Sequence, residues 1–241
     1  MKQNYIHLEW DTTFFGFGVA RILQTEMNDD ELSKTLKILR DNNYRLIYWQ
    51  IPAGQYESAK IAQVHGGFLA DEKITYVKNL VGMPDFRKAT AYTPFPYPDK
   101  TPEAAMIKLA LQSGEHSRFR NDQKFPPELY DKLFTCWIMR SVSKEIAWEV
   151  LVVKEGSDLL GLITLGVKGD RADIGLLAVA DYARGKGIGR ALVTDADKRF
   201  AERGYALAQV VTQRSNLGAC RLYESCGYQI ENVENVFHFW L

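Results

Sequence analysis

The stretch from Leu176 to Arg190 limits this chain more than any other. It runs apolar to Val179, turns polar and glycine-rich from Arg184 to Gly189, and enters Ala191-Leu-Val-Thr-Asp-Ala, good helix sequence. A strand, a tight loop and a helix start are predicted in that order. Glycine lets backbone N–H groups approach a ligand closely. The first N–H groups of the helix have no partner inside it, and its dipole favours an anion there. Together they predict a phosphate cradle. Two other uses of such a loop are excluded. A nucleotide-hydrolysing loop needs Gly-Lys followed by Ser or Thr, whereas Lys186 is followed by Gly187. A dinucleotide fingerprint read from Gly185 and Gly187 meets Arg190 where its third glycine belongs.

Around this loop the chain reads as two units. Asp29 or Asp30 can cap a helix with Leu32, Leu36 and Leu39 on one face. Tyr44 to Ile51 reads as a strand ended by Pro52, and Glu57 to Val64 as a helix stopped at Gly66-Gly67. A strand from Ile74 to Leu80 follows. The aromatic segment Leu8 to Phe17 reads as a hydrophobic anchor under this first unit. Pro84, Pro94, Pro96, Pro98 and Pro102 crowd a short stretch, and proline fixes φ and removes donors, so 85–100 is taken as a linker.

Beyond it, Thr101 is expected to cap a helix running to about Leu111, and a second helix starts after Pro126-Pro127. Strands are expected at 146–153, 159–167 and 173–179, antiparallel, with a hairpin turn at Lys168-Gly-Asp170. The helix after the loop carries Ile188, Leu192, Ala196 and Phe200 on one face and ends at Gly204. A strand from Tyr205 to Val211, a helix from Leu217 to Ser225 and a strand from Val233 to Leu241 complete the order. The strand near Ala206 follows a crossover helix, so it should lie parallel to the one before, making a mixed sheet.

Balanced charge, with Lys+Arg and Asp+Glu both 30, argues against a broad nucleic-acid surface. No apolar run reaches membrane-span length and no signal-peptide core follows Met1. With three cysteines, Cys136, Cys220 and Cys226, that leads us to expect a reducing cytoplasm and free thiols. Four scattered histidines without ligand spacing predict no metal site.

The pattern Arg/Gln-x-x-Gly-x-Gly/Ala at Arg184, Gly187 and Gly189, with its preceding strand, resembles the pyrophosphate loop of the GNAT acyl-CoA N-acetyltransferases, and Ile146 to Leu241 resembles that superfamily throughout. The resemblance implies an α+β fold, a mixed sheet with helices on both faces, in a GNAT domain at 101–241. A smaller, partial GNAT-like α/β half-domain at 1–84 would precede it. Setting Gly67-Phe68 on Gly227-Tyr228 places Ala59 on Ala219 and Gln63 on Tyr223, so Arg21 to Leu80 reads as a degenerate second half of that fold without a phosphate loop.

The same resemblance implies direct acetyl transfer from acetyl-CoA to an amine, with no acyl-enzyme. Leu177, Ala178 and Val179 would pair with the pantetheine arm, and the Leu177 N–H would donate to the thioester oxygen. Arg184, Gly185, Lys186, Gly187, Ile188, Gly189 and Arg190 would hold the diphosphate. Asn216 would cap its helix and touch the co-substrate. Tyr223, about two helical turns on, would protonate the departing thiolate, since a phenol with pKa about 10 is protonated at neutral pH. Asp173, Glu149 and His116 are candidate bases, with water-relayed deprotonation as the default.

Leu8 to Phe17, Ser117-Arg-Phe119, Ile174 to Ala178 and Asn216 to Gly227 narrow the resemblance to the TDP-fucosamine acetyltransferases. They imply a dTDP-linked 4-amino-4,6-dideoxyhexose as acceptor, for surface polysaccharide. Arg118 and Arg120 are candidates for its diphosphate, because arginine's fork matches phosphate oxygens. Another amine, or acyl-CoA binding without turnover, are the alternatives. A homodimer is the expected assembly, the commonest symmetric pair.

Overall fold

Tyr44–Pro52 forms a strand in which Leu46 to Trp49 are all buried. Successive strand side chains point to opposite faces. Leu46 and Tyr48 therefore enter one hydrophobic cluster, and Ile47, Trp49 and Ile51 another. A strand buried on both faces belongs inside a sheet covered by helices. The structure, a computed structural model, describes residues 4–82 and 91–241. Pro84 and residues 85–90 of the expected linker lie outside the described residues.

The N-terminal half comprises β1 (Tyr5–His7), α1 (Glu9–Phe15), β2 (Gly18–Ile22), α2 (Asp29–Asp41), β3 (Tyr44–Pro52), α3 (Tyr56–Val64) and β4 (Phe68–Asn79). Then come β5 (Phe95–Pro96), α4 (Ala104–Ser113), α5 (Arg118–Asn121), α6 (Pro127–Val142), β6 (Glu149–Glu155), β7 (Asp158–Lys168) and β8 (Arg171–Val179). A 3-10 turn at Asp181–Ala183 leads to α7 (Ile188–Glu202), β9 (Leu207–Gln213), α8 (Leu217–Ser225) and β10 (Gln229–Trp240). The ten strands of the described residues form one mixed sheet, in the order β1-β2-β3-β10-β4-β9-β8-β7-β6-β5. β2–β3 and β8–β9 are parallel, as a crossover helix requires, and the other pairs are antiparallel. No described helix is long and apolar enough to cross a membrane.

The N-terminal and C-terminal strands interleave in this sheet. β10 lies between β3 and β4, and β4 lies between β10 and β9. At the offset that sets Gly67 on Gly227, α3 falls on α8 and β4 on β10 to within one residue. Lys73 of β4 pairs with Gln213 of β9; shifted by that offset, these two become Val233 and Ala53. Ala53 N does donate to Val233 O, at 2.9 Å. At the centre of β4–β10 pairing, Ile74 faces Val233 and Lys73 faces Glu234, two pairs that the same offset interchanges.

Several local expectations are corrected. The cap of α2 is Asn28: its side chain accepts from Glu31 N and Glu31 accepts from Asn28 N, each at 2.9 Å, a reciprocal box that Asp29 or Asp30 would have to displace. α4 begins after Glu103, so Thr101 is not its cap. β4 starts at Phe68, six residues before the apolar alternation that begins at Ile74, and β10 likewise starts early, at Gln229. The aromatics of the Leu8 to Phe17 segment pack against the C-terminal half as well as the N-terminal one. Phe15 packs on Phe119 and Phe125, and Phe17 on Trp240.

Candidate active site

Parallel pairing of β8 with β9 covers Ala172 to Ile174 opposite Ala208 to Val210. β8 itself continues to Val179, held by β7. A register shift between Ile163 and Leu165 puts Thr164 against the bulge, where its Oγ1 accepts from Leu176 N at 2.8 Å. Ala180 N donates to Leu160 O, again on the β7 side, at 2.8 Å. Strand N–H groups alternate in direction. The N–H groups of Leu177 and Val179 are therefore directed away from β7, into the gap that opens beyond Ile174.

On one side of this gap is a cavity of about 540 Å³, lined by Leu177, Ala178 and Val179, by Arg184, Gly185 and Gly187 to Arg190, and by Asn216, Ala219 and Leu222. Gly187 is the N-cap of α7 at φ 86°, a left-handed conformation costly for any other residue. It turns the chain so that the free N–H groups of α7 face the cavity. Gly189 permits close packing: a Cβ there would lie 3.1 Å from Leu222 Cδ2. Arg184 is held by Asp181 at 2.9 Å, and Arg190 donates to Ser225 O at 3.0 Å. Lys186 is exposed and does not line the cavity.

On the other side is a second cavity of about 440 Å³. Ser113, Leu177, Asn216 and Ala219 line both, so the two volumes meet at the end of β8 and the start of α8. Asn216 caps α8, its Oδ1 accepting from Ala219 N at 3.1 Å. Tyr223 lines the second cavity, is 4% exposed, and its hydroxyl makes no hydrogen bond to a described residue. Burial drives its phenol well above the ordinary value, so it stays protonated.

The N-terminal half supplies much of this second wall: Arg21 of β2, Gln50 of β3, and Asp71 and Lys73 of β4. Strand interleaving is the cause, because it seats β4 beside β9. Asp71 is buried and its Oδ1 has no hydrogen-bond partner. Burial pushes its carboxyl up to about 7, against the pull of Arg118 and Lys73. Arg118 reaches the cavity with its guanidinium 4.1 Å over the Tyr48 ring, whereas Arg120 lies over Tyr130 and lines neither cavity.

The three candidate bases separate. Asp173 lines the second cavity, but its Oδ1 already accepts from Gln209 at 2.8 Å. Glu149 is paired with Arg199 at 2.9 Å and lines neither of the two cavities. His116 lines the first. Arg21, Gln50, Asp71 and Lys73 went unread in the sequence. The available signal was a carboxylate, Asp71, close behind an apolar triplet at the entry to a strand.

The model of the acetyltransferase (GNAT) family matches residues 112–228. An uncharacterized N-acetyltransferase of Bacillus subtilis, YvbK, is 30% identical over 139 residues, 55% of this chain and 82% of the relative. The Bacillus subtilis spore coat polysaccharide biosynthesis protein SpsD is 24% identical over 143 residues, 59% of this chain; the match spans 49% of that relative. Among solved structures, a GCN5-related N-acetyltransferase from Sphaerobacter thermophilus superimposes with a TM-score of 0.65 at 14% identity, covering 98% of this chain and 76% of the other. A tandem GNAT protein from the clavulanic acid biosynthesis pathway does so with a TM-score of 0.57 at 11% identity, covering 92% and 75%. These two likenesses carry the fold.

Proposed function

The chain belongs to the GNAT acetyltransferase family, whose co-substrate is acetyl-CoA, and on that premise we propose that it acetylates the amine of a nucleotide-linked amino-sugar, a dTDP-4-amino-4,6-dideoxyhexose. The observation that carries the reading is the divergence of β8 from β9, with one cavity on each side of Leu177. One cavity has the glycine loop and the open N-terminus of α7, suited to a diphosphate. The other has Tyr223 and charged walls, suited to a polar acceptor.

In this reading Leu177 N–H donates to the oxygen that becomes negative as the amine adds to the thioester carbon. The thioester supplies an activated acyl carbon and a leaving thiolate. Tyr223 gives that sulfur a proton as the C–S bond breaks. Arg184, Gly185 and Gly187 to Arg190 hold the diphosphate end, with exposed Lys186 between them in the loop, and Ala178, Val179 and Asn216 align the arm. Alignment of two substrates across one strand edge is itself a large part of the rate. A relative named for spore coat polysaccharide biosynthesis supports a sugar acceptor. The cationic side chains Arg21, Arg118 and Lys168 around the second cavity support an anionic one. We take 1–84 as a half-domain that completes the acceptor wall without a second active site.

The test is thiol release from acetyl-CoA over a panel of amines. Release only with dTDP-amino-sugars supports the proposal. Release with peptides, amino acids or polyamines moves the acceptor class, and binding of acetyl-CoA without release under any amine overturns catalysis.

A further inference from the structure

We propose that Asp71, which the N-terminal half contributes to the site, is the catalytic base of the transfer, taking the proton that the acceptor amine loses as the new C–N bond forms. This rests on the acetyltransferase reading above and assigns the half-domain a chemical part in it.

The geometry carries the assignment. Asp71 lines the same cavity as Leu177 and Tyr223, so it shares one volume with the carbonyl-binding edge and the proton donor. It is 9% exposed, and its Oδ1 is buried with no partner. The residue nonetheless lines the cavity, and with Oδ1 sealed the oxygen left for an acceptor N–H to meet is Oδ2. The rival carboxylates are engaged: Asp173 by Gln209, Glu149 by Arg199.

The groups around Asp71 set its proton affinity. Arg118 of α5 faces it, and Lys73 two residues on is itself bound to Glu234 of β10 at 2.7 Å. Glu72 is adjacent on β4, and Gln213 of β9 lines the same cavity. Arg21 of β2, Lys168 of β7, and Asp173 of β8 share the cavity. Burial outweighs the cations and leaves the carboxyl at about 7. A base poised there is half ionised at neutral pH and still holds a proton once it takes one.

The step balances. An acceptor arriving as an ammonium first loses one proton to solvent. The amine lone pair then forms the C–N bond, the nitrogen proton passes to Asp71, the C–S bond breaks, and Tyr223 protonates the sulfur. Asp71 is left neutral and Tyr223 as phenolate, and one proton returned through water resets both.

The experiment compares wild type, Asp71→Asn, Asp71→Glu and Asp173→Asn. Rates are followed by thiol release with acetyl-CoA and dTDP-4-amino-4,6-dideoxygalactose. Asp71→Asn is expected to lower kcat/KM about 10²- to 10³-fold, the usual worth of a general base. Acetyl-CoA affinity should be unchanged, Asp71→Glu should recover part of the loss, and Asp173→Asn should cost far less. The acid limb near pH 7 should vanish in Asp71→Asn while the limb of the amine itself remains. An Asn variant within threefold of wild type overturns the proposal. Wild type inert toward this sugar would instead sink the substrate reading. Asp71 is then judged on two readouts that need no acceptor. One is the carboxyl titration in ¹³C-aspartate NMR, expected near 7 and lost in Asp71→Asn. The other is acceptor-free hydrolysis of acetyl-CoA, expected to slow at least tenfold in Asp71→Asn. Titration in the ordinary carboxylate range, or unchanged hydrolysis, overturns it.

Discussion

Lys78 Nζ lies 2.6 Å from Asp197 Oδ2, and this pair joins β4 of the N-terminal half to α7, the helix that opens on the glycine loop. Lys78 also donates to Cys226 O at 2.7 Å, and Tyr228 OH donates to Asp197 Oδ1 at 2.7 Å. The interleaved strand is thus fastened to the helix behind it. Asp197 is 1% exposed. Burial outweighs Lys78 and raises its carboxyl, so the carboxylate depends on its partners.

Removing one partner strands the other. Lys78→Met is expected to lower unfolding free energy by about 3–5 kcal/mol, the usual result of breaking a buried pair. The double change Lys78→Met, Asp197→Leu should recover a good part of that. Urea unfolding of the three proteins is the measurement, and a double variant no better than the single one would show that the charges are not the point.

Gly187 predicts a loss at the loop. At φ 86° an alanine costs roughly 1–2 kcal/mol in the left-handed region. The backbone relaxes by turning the α7 N–H groups away from the cavity. Gly187→Ala should therefore weaken CoA at least tenfold by calorimetry. Gly169, also at positive φ but in the hairpin turn between β7 and β8, is the control: its alanine variant should lose stability and keep CoA affinity.

Two buried groups predict opposite pH dependences. Burial, aided by Arg118, pushes His238 down to about 4 from 6.5, although its ring bonds to Asp122 at 2.7 Å. The folded state then binds this proton less readily than the unfolded one. Its stabilising contribution is complete above pH 6.5 and is lost as pH falls toward 4. Asp71 has the reverse sign: raised from 3.8 to about 7, it stabilises the fold below pH 3.8 and loses that as pH rises through 7. The two offset each other across this range. Asp71→Asn should expose the histidine, with unfolding free energy rising by about 3 kcal/mol between pH 4 and 6.5, where wild type stays flatter. Chemical denaturation at four or five pH values decides it, and parallel curves would reject the assignment of either group.

What could be read in the chain beforehand was whatever local spacing determines. Arg184, Gly187 and Gly189 fall within six residues, and Asn216 and Tyr223 lie on one helix and its cap, so the loop, the cap and the phenol are visible as patterns. Asp71, Arg21 and Gln50 lie far from them in sequence and meet them through strand interleaving, a pairing that no local pattern encodes. Asp71-Glu-Lys73 also breaks the apolar alternation, which is why β4 was expected to begin only at Ile74. The cap of α2 is ambiguous in sequence for a smaller reason: three consecutive residues, Asn28, Asp29 and Asp30, can each cap, and Glu31 selects the one three residues before it.

Tyr223 predicts a separation of binding from chemistry. Tyr223→Phe keeps the ring contacts to Tyr76 and Tyr228 and removes only the hydroxyl, which no described residue bonds. Stability should hardly change. The maximal rate should fall by about 10²-fold or more, within the range for general acids, with acetyl-CoA affinity intact. A variant of wild-type rate would leave thiolate protonation to solvent.

The paired arginines offer the sharpest test of the acceptor. Arg118 and Arg120 are two residues apart on α5, yet only Arg118 reaches the second cavity, resting on the Tyr48 and Phe119 rings. Stacking spends little of the guanidinium's hydrogen-bonding capacity, since its N–H edge stays free for an anion. Removing a desolvated charge-assisted hydrogen bond costs about 1.5–3 kcal/mol, or roughly ten- to 150-fold in affinity. Arg118→Lys should show most of that loss, because an ammonium cannot reproduce the planar fork. Arg120→Ala should leave the acceptor KM within about twofold. The effect should appear with dTDP-amino-sugars and shrink with the free amino-sugar, which has no diphosphate to lose. Equal sensitivity toward both acceptors would mean that Arg118 shapes the wall and does not read the anion.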